Sequence, residues 1–296
     1  MITMNRIRTL HLVALTVLSL AAIPAMAAEN YLLAAHKQRL EKARVEESAA
    51  KSTWDKAFAL RQQAAELDSM GKSAEALTVI DRALSLVKPE KDKDFIATKA
   101  SILFSMNDPR GALALLAPQL EATREYAASQ AAAGRTLALG TFTEGFVTAT
   151  FAHIQLEQWR DAIATLANAE APLEGPSFYA YRSLVYRYIM SRAKDNTLVN
   201  PQLEEMATYY AQKDRGHYGA LLRMWQGEDT QKEAAALIGQ MSGSEQQEAF
   251  AEALFHGVAY AKFVKGDAVS ARTMLDDLNR VAPFGSIEWI YGQRVL

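Results

Sequence analysis

The stretch VKGDAVSARTMLDDLNRVAP, residues 264–283, contains the small and helix-breaking residues that decide how its neighbouring helices pack. Gly266 predicts a tight turn, because glycine adopts positive φ at little cost. Ala271 is small enough to let a second helix approach the first, and Ala259 offers a matching small side chain on the first helix. Pro283 ends the second helix because it cannot continue the hydrogen-bond ladder. The segment therefore predicts a helical hairpin with closely crossing helices.

Helical periodicity extends over most of the chain. In AFALRQQAAELDSM (57–70) and AEALTVIDRALSLV (74–87), apolar residues recur in steps of three and four, which indicates amphipathic helices. The joint between them, MGKS (70–73), is short enough to predict an antiparallel hairpin. Alternating runs rich in Val, Ile and Thr are missing from the sequence, so strand signals are poor. These patterns predict an all-α protein.

Parts of this pattern recur upstream, around Ala76, Ala112 and Ala162. The proline comes one residue late in the first unit (Pro89), Asn107 replaces the turn glycine in the second, and Thr150 and His153 take the small-residue positions of the first helix in the third. At these offsets the pattern resembles the tetratricopeptide repeat (TPR), a helix-turn-helix unit of 34 residues. The first two alanines are 36 residues apart, close to one repeat, whereas the next two are 50 apart. We therefore expect one extra helix within 120–138. The alternative is an unrelated helical array that shares the alanines through composition.

The resemblance implies a TPR-like helical-hairpin solenoid, with hairpins stacked into an α-α superhelix. Residues 29–51 predict a charged N-terminal helix with a thin apolar stripe, which fits an end cap; the alternative is a helix that hangs free of the array. Residues 285–296, GSIEWIYGQRVL, predict a C-terminal capping helix over the last repeat's core. Another hairpin without a clear repeat pattern is expected at 215–241.

The first 27 residues have the layout of a secretory signal peptide. Arg6 and Arg8 form a positive segment, an apolar run follows at 12–23, and Ala25-Met26-Ala27 offers a cleavage site. The alternative, a membrane anchor, is disfavoured because a twelve-residue helix rises about 18 Å and a bilayer core needs about 30 Å. We expect cleavage after Ala27.

Cleavage would leave one mature TPR-like domain, residues 28–296, periplasmic or secreted and without stable membrane insertion. The chain has no cysteine, so no lipidated cysteine, disulfide or thiolate site is possible. The formal net charge of −2 argues against a polyanion-binding surface, so no nucleic-acid partner is expected. A bacterial envelope protein is the simplest interpretation.

No catalytic motif is evident in the sequence. Phosphate-binding glycine loops, the G-x-S-x-G elbow and H-E-x-x-H are missing, and the histidines are widely spaced. The pairs Glu204/Glu205 and Asp276/Asp277 are adjacent on helices and point about 100° apart. We therefore predict no enzyme activity, no catalytic residue, no metal and no cofactor. A glycosidase would need two carboxylates that the fold brings together.

Partner-binding residues come from two sources. In TPR-like proteins the first helix of each repeat lines a groove that holds peptides or partner helices, so the resemblance implies a protein or peptide partner. The stretch FYAYRSLVYRYIM (178–190) is aromatic on two faces, which means burial on both sides or an exposed Tyr/Arg patch. The candidates are Arg61, Phe104, Phe151, Tyr181, Arg182, His256, Tyr260 and Phe263. The alternative is that these aromatic residues pack under the chain's own helices.

The expected function is that of an exported interaction scaffold or adaptor, which regulates or neutralises an envelope enzyme or a toxin. Two alternatives stay open. One is a helical-superhelix enzyme that acts on cell-wall glycans, and the other is a structural subunit that self-associates. The Lys and Asn pattern with which some TPR proteins grip a C-terminal carboxylate is missing, which disfavours a carboxylate-clamp co-chaperone.

Overall fold

The structure is a computed structural model that describes residues 30–88, 92–132, 139–171, 175–281 and 286–296. Within these ranges the chain forms fourteen α-helices and no strand, which confirms the all-α prediction. The helices are α1 (Tyr31–Ala49), α2 (Thr53–Ser69), α3 (Ser73–Leu84), α4 (Lys93–Ser105), α5 (Pro109–Ala132), α6 (Thr143–Gln155), α7 (Trp159–Ala167), α8 (Pro176–Ala193), α9 (Pro201–Lys213), α10 (His217–Trp225), α11 (Gln231–Ile238), α12 (Gly243–Ala259), α13 (Ala268–Val281) and α14 (Ile287–Val295).

Six consecutive helical hairpins run from α2/α3 to α12/α13. Each of the six turns contains a residue with positive φ; four of these residues are Gly71 at +75°, Asn107 at +65°, Glu157 at +57° and Gly266 at +68°. The predicted turn at Gly266 is confirmed, although a short π-helical segment, Tyr260–Lys265, joins α12 to it. The hairpin expected at 215–241 is also present, as α10 and α11.

A buried alanine follows each of these four left-handed residues by five positions. Ala76, Ala112 and Ala162 have no exposed surface, and Ala271 is 5% exposed. A methyl group at these sites lets the second helix of the hairpin approach its neighbours closely, as the sequence predicted. Pro283, the expected stop after α13, lies outside the described residues.

Enlarging one of these alanines should destabilise the fold. We expect Ala162→Leu to lower the free energy of unfolding by about 1–3 kcal/mol, because extra methylenes in a packed site force neighbouring side chains out of their rotamers. Ala164→Leu is the matched control, since Ala164 is exposed on the same helix. Urea denaturation of both variants measures the difference, and equal stability would contradict close crossing at Ala162.

The first helices of the hairpins form an inner layer. α2 packs on α4 and α4 on α6, and likewise α8 packs on α10 and α10 on α12. α1 packs on both α2 and α12. At α12 the backbone N–H of Leu32 donates to Oε1 of Gln247 at 3.0 Å, and Gln247 Nε2 donates to the carbonyl of Val281 at 2.6 Å, which ties this contact to α13. The charged N-terminal helix thus joins the two ends of the hairpin array rather than hanging free.

Two expectations about single helices need correction. The extra helix expected within 120–138 is not separate over its described part, because α5 continues unbroken to Ala132 through Pro118. Residues 119–132 are mostly helix-favouring Ala, Gln, Glu and Arg, so nothing ends the helix there. α14 does contact the last hairpin, but it also packs on α6 and forms hydrogen bonds with α8, so it extends well beyond a terminal cap.

The helix α8 is buried on both sides. Tyr186 and Tyr188 are fully buried and Arg182 is 2% exposed, so the aromatic stretch at 178–190 belongs largely to the core. None of the described helices combines the length and apolar character needed to cross a membrane. Residues 1–29 lie outside the described part of the chain, and the signal peptide stays a prediction.

Candidate functional site

A cavity of about 580 Å³ lies on the inner layer. Seven helices contribute side chains to it: α2, α4, α6, α8, α10, α12 and α14. Its polar lining includes Arg61, Asp68, Ser101, Glu144, Tyr181, Tyr218, Glu252 and Glu288. Cavities of this size are typical of ligand sites, and this one faces the side of the array that the sequence predicted to bind a partner.

Carboxyl groups dominate the charge of this cavity. Among its described lining residues, four carry carboxyls and Arg61 is the one that carries a cationic side chain. Asp68 has structural partners, because Ser73 Oγ and Ser105 Oγ donate to its two oxygens at 2.6 and 2.9 Å. Burial raises the pKa of Asp68, while these two hydrogen bonds oppose the shift. Asp68 therefore ties α2 to α3 and α4 at the cavity wall.

Glu288 is the most perturbed of these carboxyls. It is 5% exposed, and its Oε1 accepts a hydrogen bond from the Tyr181 hydroxyl at 2.6 Å. Burial and then the nearby charge of Glu252 raise the pKa of Glu288 to about 7. A carboxyl in this state is neutral in part at physiological pH, and it can donate as well as accept a hydrogen bond.

Glu252 lies between a tyrosine and a histidine. Its Oε2 is 3.9 Å from His217 Nε2, and this oxygen has no hydrogen-bond partner within the described residues. Burial, followed by the Glu252 carboxylate, raises the pKa of Tyr218, so the tyrosine hydroxyl stays protonated. The cavity thus presents carboxylate oxygens and neutral tyrosine hydroxyls side by side, which suits a cationic or hydrogen-bonding group.

A second cluster adjoins the cavity, where α14 lies against the inner layer. The ring of Tyr291 meets Phe151 at 5.8 Å and Tyr188 at 5.9 Å between centroids. The guanidinium of Arg294 lies 5.0 Å from the centre of the Phe104 ring. We call the surface of α4, α6, α8 and α12 that contacts α14 the inner channel; the cavity continues it beyond Ile287 and Glu288.

The predicted partner-binding residues separate into groups. Arg61 and Tyr181 line the cavity, and Phe104 and Phe151 lie under α14. Phe263 is half-buried, with the Arg192 guanidinium 4.7 Å from its ring centre.

The other three predicted residues are buried elsewhere. Arg182 donates to the carbonyl of Ala169 and joins α8 to the end of α7. His256 and Tyr260 are 1% and 6% exposed and pack on Trp225, at 6.1 and 5.5 Å between ring centroids. A partner could reach these three, and the two phenylalanines under α14, only if helices moved.

Several cavity residues were missed in the sequence. Glu252 is one helical turn before His256 and two before Tyr260, so extending the predicted groove stripe by one turn would have found it. Glu288 gave no signal, because α14 lies outside the repeat pattern. Within the described residues, no group of three or more His, Asp or Glu side chains is arranged to hold a metal ion.

Comparison with known proteins does not assign the chain. No protein-family model matches it, and no curated protein matches it.

Proposed function

We propose that the protein is an exported, TPR-like interaction scaffold that binds a partner protein or peptide at the cavity of the inner layer. The TPR-like interpretation is supported by the four hairpins in which a buried alanine follows a left-handed turn residue by five positions. Export rests on the segment 1–27 and its three-part signal layout. The partner would be an envelope enzyme or a toxin that the scaffold regulates or neutralises.

The observation that carries the proposal is the cavity itself. Side chains from seven helices border one space of about 580 Å³, and six of these helices are first helices of hairpins, the position that lines the groove in TPR-like proteins. This lining lowers the stability of the fold, because Glu288 is buried close to the like charge of Glu252. Such groups are common at functional sites, where a ligand supplies the missing interactions.

Site-specific photo-crosslinking in cells tests this proposal. A photoreactive amino acid at Ser101, which lines the cavity, should capture a discrete partner that mass spectrometry identifies. The same amino acid at Thr78, exposed on α3, is the matched control and should not capture that partner. Capture from Thr78 alone, or from neither position in cells that carry the natural gene neighbourhood, would contradict binding at the cavity.

A second candidate function rests on one different observation. The fold brings Glu252 and Glu288 to the same cavity, and Glu288 is protonated in part at neutral pH. A glycosidase uses such a pair, with the protonated carboxyl as acid and the ionised one as base or nucleophile. This arrangement supports the alternative of an enzyme that acts on cell-wall glycans.

Purified cell-wall glycan provides the assay for the enzyme alternative. If it holds, the protein releases new reducing ends, and Glu288→Gln or Glu252→Gln lowers the rate by about 100-fold or more. Release by both variants at the rate of the unsubstituted protein, or no release from the unsubstituted protein, would leave the interaction scaffold as the function.

A further inference from the structure

α14 occupies the inner channel through one face. Glu288, Tyr291 and Arg294 follow each other at three-residue intervals, so they lie along the same side of the helix. These three side chains contact α8, α6 and α4 respectively. α14 belongs to none of the six hairpins, so its departure from the channel would leave every hairpin intact.

The C-terminal half of α14 fits the channel well. Tyr291 has no exposed surface, and its hydroxyl accepts a hydrogen bond from the Tyr188 hydroxyl at 3.0 Å. Arg294 donates from Nη1 to Gln155 Oε1 and from Nη2 to the carbonyl of Ser105, both at 2.8 Å. A buried aromatic side chain and a half-buried arginine of this kind are the usual anchors of helix-in-groove recognition.

The N-terminal half of α14 fits the channel poorly. Glu288 has the Tyr181 hydroxyl as a donor, but the nearby charges of Glu252 and Glu248 repel its ionised form. Asp68, Glu144 and Arg61 line the same cavity, and among these described lining side chains the carboxyls outnumber the guanidinium. An acidic side chain therefore points to the acidic end of the channel, which opens into the cavity of about 580 Å³.

We infer that the inner channel accepts from the partner a helix with the spacing of α14 but with a basic residue at the position of Glu288. The inference rests on the proposed function and specifies the chemistry of the partner. A lysine there would lie beside Glu252, Glu248 and the Tyr181 hydroxyl oxygen, and would exchange a like-charge repulsion for charge-assisted hydrogen bonds. The aromatic and arginine positions would keep the contacts that Tyr291 and Arg294 make. α14 thus holds the channel as an internal competitor that such a helix displaces.

Synthetic peptides and the full chain test the inference. The parent peptide is SIEWIYGQRVL, residues 286–296, and the test peptide carries Glu288→Lys. Because the chain has no cysteine, Ser101→Cys takes one fluorophore inside the cavity and Thr78→Cys takes one outside. Titration should show the lysine peptide binding at least tenfold more tightly than the parent, with a fluorescence change at position 101 and none at position 78.

Two variants define the contacts. The lysine peptide with Tyr291→Ala and Arg294→Ala should lose binding, because both anchors are gone. Glu252→Gln in the full chain should weaken the lysine peptide about three- to tenfold and leave the parent peptide unchanged or tighter, because one carboxylate of the cavity is neutralised. Circular dichroism of Glu252→Gln confirms that the variant is folded.

The inference is overturned if neither peptide binds or if both bind with equal affinity. It is also overturned if Glu252→Gln leaves the affinity for the lysine peptide unchanged, or if the fluorophore at position 78 responds like the one at position 101. Photo-crosslinking at Ser101 separates this failure from that of the proposed function. A partner captured there, together with failure of the lysine peptide, would keep the scaffold and reject the basic helix.

Discussion

Replacing Tyr291 with alanine is expected to lower the free energy of unfolding by about 3–5 kcal/mol. The side chain has no exposed surface, and its ring packs edge-on against Phe151 and Tyr188 and at a tilt against Phe255. Its removal leaves a cavity between α14 and the inner layer. The substitution also removes the hydroxyl to which Tyr188 donates its hydrogen bond, although the Tyr188 hydroxyl still accepts one from Arg192 Nη1 at 2.8 Å.

Urea denaturation of Tyr291→Ala measures the loss, and Tyr209→Ala provides the matched control. Tyr209 is 54% exposed on α9, so its truncation should change the free energy of unfolding by less than about 1 kcal/mol. Tyr291→Phe should cost only about 1 kcal/mol, since it keeps the ring and loses one hydrogen bond. A Tyr291→Ala variant as stable as Tyr209→Ala would show that α14 does not lie in the inner channel.

The second large effect is the acid sensitivity of His256. The imidazole is 1% exposed beside Trp225 and Phe255, and neither ring nitrogen has a hydrogen-bond partner within the described residues. Burial lowers the pKa of His256 from its ordinary value of 6.5 to about 3. Below pH 6.5 the unfolded chain binds a proton that the folded chain does not bind. Stability therefore falls as the pH falls from 6.5 towards 3.

At pH 4.5 this difference amounts to about 3 kcal/mol, since each pKa unit corresponds to about 1.4 kcal/mol. His256→Leu should remove this part of the acid sensitivity, because leucine is similar in volume and carries no titratable group. The measurement is the free energy of unfolding of both proteins at pH 7 and pH 4.5, where carboxyl titrations shared by the two cancel in the difference. An equal loss in both proteins would contradict a buried neutral His256.

Local patterns in the sequence were sufficient to predict the helical hairpins. Ala76, Ala112, Ala162 and Ala271 are buried as predicted, because a small residue at a helix crossing depends on its own hairpin and immediate neighbours. The turn at Asn107 shows how weak the signal can be, since asparagine replaced glycine there and still adopted positive φ. Helix lengths were harder to predict from the sequence. α5 continues past Pro118 to Ala132, because no residue in that stretch stops the helix.

The site was only partly predictable. Of the predicted partner-binding residues, Arg61 on α2 and Tyr181 on α8 line the cavity. The contribution of Glu288 depends on the path of α14 across α4, α6 and α8, and such a long-range packing choice leaves no periodic trace in the sequence. The same packing explains why Phe104 and Phe151, expected to face a partner, contact the chain's own α14.

The central claim is that α14 lies in the inner channel beside the cavity, and cysteine cross-linking tests it most directly. Arg294 and Gln155 are joined by a hydrogen bond of 2.8 Å although 139 residues separate them. In the otherwise cysteine-free chain, Gln155→Cys with Arg294→Cys should give an efficient intramolecular cross-link with a short thiol-reactive linker. The pair Thr78→Cys with Arg294→Cys should give none. Absence of the first cross-link, or equal yields from both pairs, would contradict the position of α14 and the channel built around it.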